Sequence, residues 1–167
     1  MLHCKLVGRS ELADVKLAVI VCTGNVCRSP IAEYLLRQLL GKTSEWKVCS
    51  AGVSAIKGSP ASEMAVTVMK ERGIDISGHR SRPFDAELAS KATVIFVMTR
   101  THLKEIVSKY PFAKEKVFLL KSFHPSPQGE EDIIDPVGLD IKKYREICDE
   151  IYACLPGVVE FMQKLKV

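Results

Sequence analysis

Several features are scarce or missing in this sequence of 167 residues, and each absence argues against one class of protein or site. No apolar run approaches the roughly 20 residues that a membrane-spanning helix needs. No secretory signal pattern opens the chain, so we expect a cytoplasmic protein without membrane insertion. No Cys-x2-Cys pair or histidine cluster has the spacing of a zinc site, so we expect no metal. The net charge of +4 is small and its basic residues are scattered, which argues against nucleic-acid binding.

Cysteine is not scarce in this sequence, which contains six. An even number is compatible with disulfides, but a chain without a secretion signal belongs in a reducing compartment, where thiols persist. We expect three of the six to be buried as small hydrophobic residues, namely Cys49, Cys148 and Cys154. A composition of 47% hydrophobic and 26% charged residues is typical of a globular chain, and its length suits one domain.

Apolar strand-like runs alternate with amphipathic helical patterns along the chain. The patterns predict strands at 17–21, 46–51, 92–98 and 116–120, and helices at 31–40, 61–72, 84–91, 101–110 and 139–165. This alternation predicts an α/β fold, a single three-layer domain with a four-stranded parallel sheet flanked by helices. We expect an N-terminal extension over 1–14 and the domain over 15–167. Pro156-Gly157 predicts a kink or break in the last helix.

The most informative segment is the loop between the first strand and the first helix. Cys22 ends the strand, and Arg28 and Ser29 open the helix. A helix N-terminus offers free N–H groups and a positive dipole end, which favour an anion. The same field favours a thiolate at Cys22, and a planar guanidinium can hold two oxygens of a tetrahedral oxyanion. The sequence therefore predicts a phosphate-binding loop with a cysteine nucleophile.

A proton donor is needed when a phosphate ester is cleaved by a thiolate. The candidate is Asp135, because Pro136 stiffens the loop that aims it. Asp132 and Asp140 are nearby alternatives, although Asp140 is better interpreted as a residue at a helix N-terminus.

The full string over 22–30, Cys-Thr-Gly-Asn-Val-Cys-Arg-Ser-Pro, resembles the signature loop of the low-molecular-weight protein tyrosine phosphatases. Asp135-Pro136 resembles the general-acid motif of that family. The resemblance implies a monomeric, cofactor-independent enzyme acting on a phosphorylated protein, with Cys22, Arg28 and Asp135 catalytic. It implies that a cysteinyl-phosphate forms and is then hydrolysed. The phosphate would be held by the loop residues Thr23, Gly24, Asn25, Val26, Cys27 and Ser29.

Other residues of the chain are expected to support the loop. Asn25 is expected in a left-handed conformation that braces the loop, and Ser29 is expected to donate its hydroxyl to Cys22. Cys27 resembles the family's second loop cysteine, which traps an oxidised nucleophile as a disulfide; its alternative is a packing role. His79 is expected to support loop structure.

The substrate is less well defined by the sequence. Eukaryotic members carry aromatic residues after Asp-Pro, where this chain has Val137-Gly138, and Ile56 occupies a region where an aromatic residue often lines the cleft. Bacterial protein arginine phosphatases have a similar loop with Thr at the position of Val26, and that hydroxyl is implicated in phosphoarginine selection. Val26 loses a polar contact worth ~1 kcal/mol, which favours phosphotyrosine and leaves phosphoarginine as the alternative.

Two further functions have weaker support. An arsenate reductase needs relay cysteines after the third strand, and 99–110 contains none. A non-catalytic phosphoprotein-binding module would need neither the thiolate nor the acid.

Overall fold

The computed structural model describes residues 16–126, 129 and 131–165. Its strands are β1 (Lys16–Cys22), β2 (Trp46–Gly52), β3 (Val94–Val97) and β4 (Val117–Leu119). Its helices are α1 (Arg28–Leu40), α2 (Glu63–Glu71), α3 (Ala86–Lys91), α4 (Arg100–Lys109) and α5 (Ile141–Lys164). The extension predicted over 1–14 lies outside the described residues.

The four strands form one parallel sheet in the order β2-β1-β3-β4. Each central strand is buried on both faces, which explains why β1 and β3 are continuous apolar runs. Alternate residues of β1 enter two separate cores: Ala18, Ile20 and Cys22 face α1, α2 and α5, whereas Val19 and Val21 face α3 and α4. The predicted three-layer α/β fold is confirmed.

The sequence predicted a kink or a break at Pro156; the long helix α5 runs unbroken through that residue, so the break is wrong. Proline removes one helical hydrogen bond, but Pro156 and Tyr152, whose carbonyl loses that bond, are both exposed, and water can replace it. Packing explains why residue 157 is a glycine, because a Cβ added there would lie 2.7 Å from the carbonyl oxygen of Phe123.

Local differences from the prediction occur at element ends and in loops. Helix α2 begins at Glu63, not after Ser59-Pro60, because Ser62 caps it by accepting a hydrogen bond from the amide of Ala65. Two short 3-10 helices at Pro111–Lys116 and Leu120–Phe123 were not predicted. Cys148 and Cys154 are buried as expected, whereas Cys49 on the edge strand β2 is only half-buried.

Candidate active site

Cys22 is the last residue of β1, at the carboxyl edge of the sheet, where α/β folds bind ligands. Its sulfur is 3.0 Å from the Ser29 hydroxyl and accepts a hydrogen bond of 3.3 Å from the backbone amide of Asn25. The Ser29 oxygen already accepts an N–H from the Asn25 side chain at 2.9 Å. Its own hydrogen is therefore available for the sulfur, with the Ala51 carbonyl, at 3.4 Å, as the more distant acceptor. These donors stabilise negative charge on the sulfur.

Arg28 opens α1 and is only 3% exposed. Its guanidinium donates to the carbonyl of Ile133 at 2.9 Å and to the Asp135 carboxylate at 2.8 Å. The remaining nitrogen, Nε, is buried and has no hydrogen-bond partner among the residues that the structure describes. A buried donor without an acceptor is costly, so this nitrogen favours an anion beside the loop.

Asp135 is the acidic residue that reaches the loop. Its side chain is 46% exposed, and its second oxygen accepts from the amide of Val137 at 3.1 Å. The two alternatives are engaged elsewhere. Asp132 accepts from the amide of Arg100 at 2.8 Å, and Asp140 caps α5 through the amide of Lys143 at 2.9 Å. The geometry therefore favours Asp135 over both.

Asn25 braces the loop from within. It is fully buried with a φ of 57°, the predicted left-handed conformation. Its amide nitrogen donates to Ser29 and, at 2.8 Å, to Ser50, while its amide oxygen accepts from the backbone of Arg82 at 2.9 Å. Its carbonyl is 2.8 Å from Nε2 of His79, so the expected supporting position of His79 is confirmed. A fully hydrogen-bonded buried network of this kind holds one loop conformation.

The segment that directly follows β2 packs against the phosphate-binding loop. The amides of Val53 and Ser54 donate to the carbonyls of Cys22 and Thr23, both at 3.0 Å. Gly52 permits this approach, because a Cβ added there would lie 2.4 Å from the carbonyl oxygen of Thr23 and 2.9 Å from the amide of Asn25.

Cys27 points away from the Asn25 network into a pocket between α2 and α5. Its thiol donates to the Ser62 hydroxyl at 3.3 Å and lies 3.3 Å from the Tyr144 hydroxyl. Burial raises the pKa of Cys27, and burial together with the contact to Cys27 raises the pKa of Tyr144 to about 12. These contacts hold Cys27 as a neutral thiol.

The exposed end of the loop, which we call the mouth, is bordered by Thr23 and Asp135. Thr23 is the only exposed side chain of residues 23–29, and its hydroxyl lies 2.8 Å from Nε2 of His102 in the first turn of α4. Burial, aided by the charge of Arg28, lowers the pKa of His102 to about 4, so this imidazole is neutral. Ile56 closely follows Ser54, which contacts Thr23, and Val137 donates its amide to Asp135; their exposures are 78% and 64%.

Sequence reasoning missed four contributors to this site. Glu33 accepts from the Ser50 hydroxyl and pairs with Arg37, so it supports the Asn25 network from α1. Ser62 and Tyr144 hold Cys27, and His102 holds Thr23. His102 alone carried a usable signal, because the helix after β3 starts at the edge of the sheet where Cys22 lies.

Comparison with known proteins places this fold and loop in one family. The family model for low molecular weight phosphotyrosine protein phosphatase matches residues 18–166. A protein-arginine-phosphatase of Geobacillus stearothermophilus is 43% identical over 87% of this chain and 95% of its own. A probable low molecular weight protein-tyrosine-phosphatase, EpsP, of Ralstonia nicotianae is 39% identical over 82% of this chain and 89% of its own. The crystal structure of a low molecular weight protein tyrosine phosphatase from T. tengcongensis matches with a TM-score of 0.79 and 37% identity, over 87% of this chain and 99% of that one.

The chain belongs to the low molecular weight protein tyrosine phosphatase family, as its loop indicated. Within the described residues, no helix has the length and apolar character to cross a membrane. Histidine, cysteine and acidic side chains form no group suited to a metal ion in that same part of the chain.

Proposed function

We propose that this protein is a metal-independent phosphatase that hydrolyses phosphotyrosine in proteins through a cysteinyl-phosphate on Cys22. The observation that carries the proposal is the buried Arg28 guanidinium, which contacts Asp135 and has one donor without a partner among the described residues. The cysteine at the strand end supplies a nucleophile and the guanidinium supplies positive charge. Together they perform the two tasks for which other phosphatases use metal ions.

In the first step the Cys22 thiolate attacks phosphorus. The P–S bond forms as the bond from phosphorus to the tyrosine oxygen breaks, and the leaving oxygen takes a proton from the Asp135 carboxyl group. Arg28 and the loop amides over 23–28 hold the other phosphoryl oxygens as charge develops on them. Ser29 and the amide of Asn25 stabilise the sulfur before attack and when it becomes the leaving group.

In the second step water attacks the cysteinyl-phosphate. Asp135, now ionised, accepts a proton from the water, inorganic phosphate leaves, and the Cys22 thiolate is restored. The half-exposed position of Asp135 supports both roles, because the same carboxyl group can meet the leaving oxygen and then solvent.

Phosphotyrosine is the substrate that the mouth favours. Val26 offers no hydroxyl for the guanidinium group of a phosphoarginine, whereas the aliphatic side chains of Ile56 and Val137 offer apolar contact to an aromatic ring. Phosphoarginine is the second candidate, since one of the relatives reported above is a protein-arginine-phosphatase. Both substrates would use the same Cys22 chemistry.

We also propose a monomer in the cytoplasm as the working form, with residues 1–14 as an extension outside the phosphatase domain. A reducing compartment suits a site whose nucleophile must be a thiol. Within the described residues, no disulfide joins any two of Cys22, Cys27, Cys49, Cys148 and Cys154.

The test is phosphate release from matched phosphotyrosine and phosphoarginine peptides in fresh reductant and EDTA. We expect faster turnover of the tyrosine peptide and none by Cys22→Ser. A preference for the arginine peptide would overturn the choice of substrate and keep the chemistry. Turnover by Cys22→Ser, or none of either peptide by the natural protein, would overturn the mechanism.

A further inference from the structure

His102 is a buried histidine that the proposed reaction does not use. Its exposed fraction is 4%, and it lies in the first turn of α4, whose N-terminus is capped by Thr99. Its Nε2 lies 2.8 Å from the hydroxyl of Thr23, the residue that follows Cys22. Its other ring nitrogen, Nδ1, is buried and lacks a hydrogen-bond partner in the described part of the chain.

The unpartnered Nδ1 indicates which nitrogen carries the proton. A neutral imidazole has one N–H donor and one acceptor nitrogen. If Nδ1 held the hydrogen, a buried donor would be left without an acceptor, and buried N–H groups without partners are rarer than under-used acceptors. The more favourable tautomer places the hydrogen on Nε2, so His102 donates to the Thr23 oxygen.

This assignment fixes what the Thr23 hydroxyl can do. Its oxygen accepts from His102, so its own hydrogen is free to be donated. Thr23 is exposed at the mouth, whereas Asn25, Cys27, Arg28 and Ser29 are buried deeper in the loop. The free hydrogen is therefore placed beside the part of a substrate that lies outside the phosphoryl group.

We propose that Thr23 is a specificity-determining residue that donates a hydrogen bond to the leaving-group side of the substrate, and that His102 is the positioning residue that orients it. The inference rests on the proposed phosphatase function. It adds a polar contact at the mouth to the aliphatic contacts proposed for Ile56 and Val137. The atom recognised is the ester oxygen of a phosphorylated aromatic hydroxyl, which can accept such a bond.

The test compares Thr23→Val, His102→Phe and the double variant on a phosphotyrosine peptide, with inorganic phosphate as a competitive inhibitor. We expect each single variant to lower kcat/KM about 10-fold, as for the loss of one hydrogen bond. The double variant should lose no more than Thr23→Val alone, because His102 acts through that hydroxyl. The inhibition constant of inorganic phosphate, which has no leaving group, should change less than about 2-fold.

Two further variants separate positioning from general support of the loop. His102→Gln keeps an N–H donor near the position of Nε2 and should restore most of the activity lost in His102→Phe. Thr67→Val removes a similar hydroxyl on the exposed face of α2, where it donates to the carbonyl of Glu63, and should behave as the natural protein does.

Three results would overturn the inference: a parallel loss of phosphate affinity, additive losses in the double variant, or no rescue by His102→Gln. Failure of the proposed function would be distinguishable, since the natural protein would then turn over no peptide. In that case the affinity for inorganic phosphate, measured by titration calorimetry, would still report whether the variants leave the loop intact.

Discussion

At the scale of single residues, the central feature is that a distant segment brings the half-exposed Asp135 to Cys22 and Arg28, which are buried in one loop. Arg28 is almost fully buried, so its orientation is fixed by its contacts with Ile133 and Asp135. Asp135 is half-exposed, and its carboxylate accepts hydrogen bonds from Arg28 and from the amide of Val137. This division suits a fixed anion-binding group and an acid that must exchange protons with solvent.

Replacing the acid should affect substrates according to their leaving groups. We expect Asp135→Asn to lower kcat for a phosphotyrosine peptide by about 10²–10⁴-fold, the usual contribution of a general acid. The loss should be smaller for para-nitrophenyl phosphate, because its leaving oxygen needs little protonation. Steady-state kinetics on both substrates measures the difference.

The controls are the two other carboxylates of the same region. Asp140→Asn retains a good helix cap, and Asp132→Asn leaves the Arg28 contacts in place, so both should keep most of the activity. A larger loss in Asp132→Asn than in Asp135→Asn would contradict the assignment of the acid.

At the scale of elements, the loop depends on how closely β2 approaches it. We expect Gly52→Ala to impair both stability and turnover, because the new Cβ would lie 2.4 Å from the carbonyl oxygen of Thr23. Overpacking of this kind costs about 1–3 kcal/mol. Urea denaturation and kcat/KM measure the two effects, with Gly78→Ala as the control, since nothing lies within 4 Å of a Cβ added there. Unchanged turnover in Gly52→Ala would show that the loop tolerates displacement.

Helix α5 offers a test in which packing opposes helix propensity. Replacing a glycine inside a helix by alanine normally stabilises it by about 0.5–1 kcal/mol. At Gly157 we expect the opposite, because the added Cβ would lie 2.7 Å from the carbonyl oxygen of Phe123. The midpoint of urea denaturation should fall for Gly157→Ala relative to Gly78→Ala. A rise would mean that Phe123 moves aside at little cost.

Local patterns predicted the elements well and their boundaries less well. Buried strands such as β1 and β3 are recognisable in the sequence as apolar runs. Gly41, with a φ of 72°, ends α1 as expected. The start of α2 was misplaced, because Ser59 and Ser62 are equally good caps in the sequence and only tertiary contacts choose between them. Pro156 predicted a kink or a break, but α5 does not break there, because the carbonyl that loses its hydrogen bond is exposed to water.

At the scale of the whole molecule, the sequence predicted those site residues that are adjacent in the chain or carry a motif. Cys22 to Ser29 form one continuous segment, and Asp135 is followed by a proline. The partners that support them come from distant elements: His102 from α4, Tyr144 from α5 and Ser50 from β2. Their contribution depends on side-chain contacts across more than 20 residues of sequence, which no local pattern encodes.

The buried His102 makes stability depend on pH. Its pKa is lowered from 6.5 to about 4 in the folded protein, so the unfolded chain binds more protons between these values. The free energy of unfolding should therefore fall as the pH is lowered from 6.5 to 4, by about 3 kcal/mol from this group. Above pH 6.5 the contribution is constant.

Urea denaturation at pH 7, 5.5 and 4.5 checks this prediction. His102→Gln carries no titrating group at this position, so its stability should fall less steeply over the same range. Equal slopes for the two proteins would contradict a depressed pKa at His102.

The central claim is that the phosphoryl group is transferred to the Cys22 sulfur before water releases it as phosphate. Its most direct test is to mix the protein with a ³²P-labelled phosphotyrosine peptide, quench within one turnover, and locate the label by peptide mapping. We predict labelled phosphate on the peptide that contains Cys22, and none on the same peptide of Cys22→Ala. Release of labelled phosphate by a protein that never carries the label on Cys22 would contradict the account.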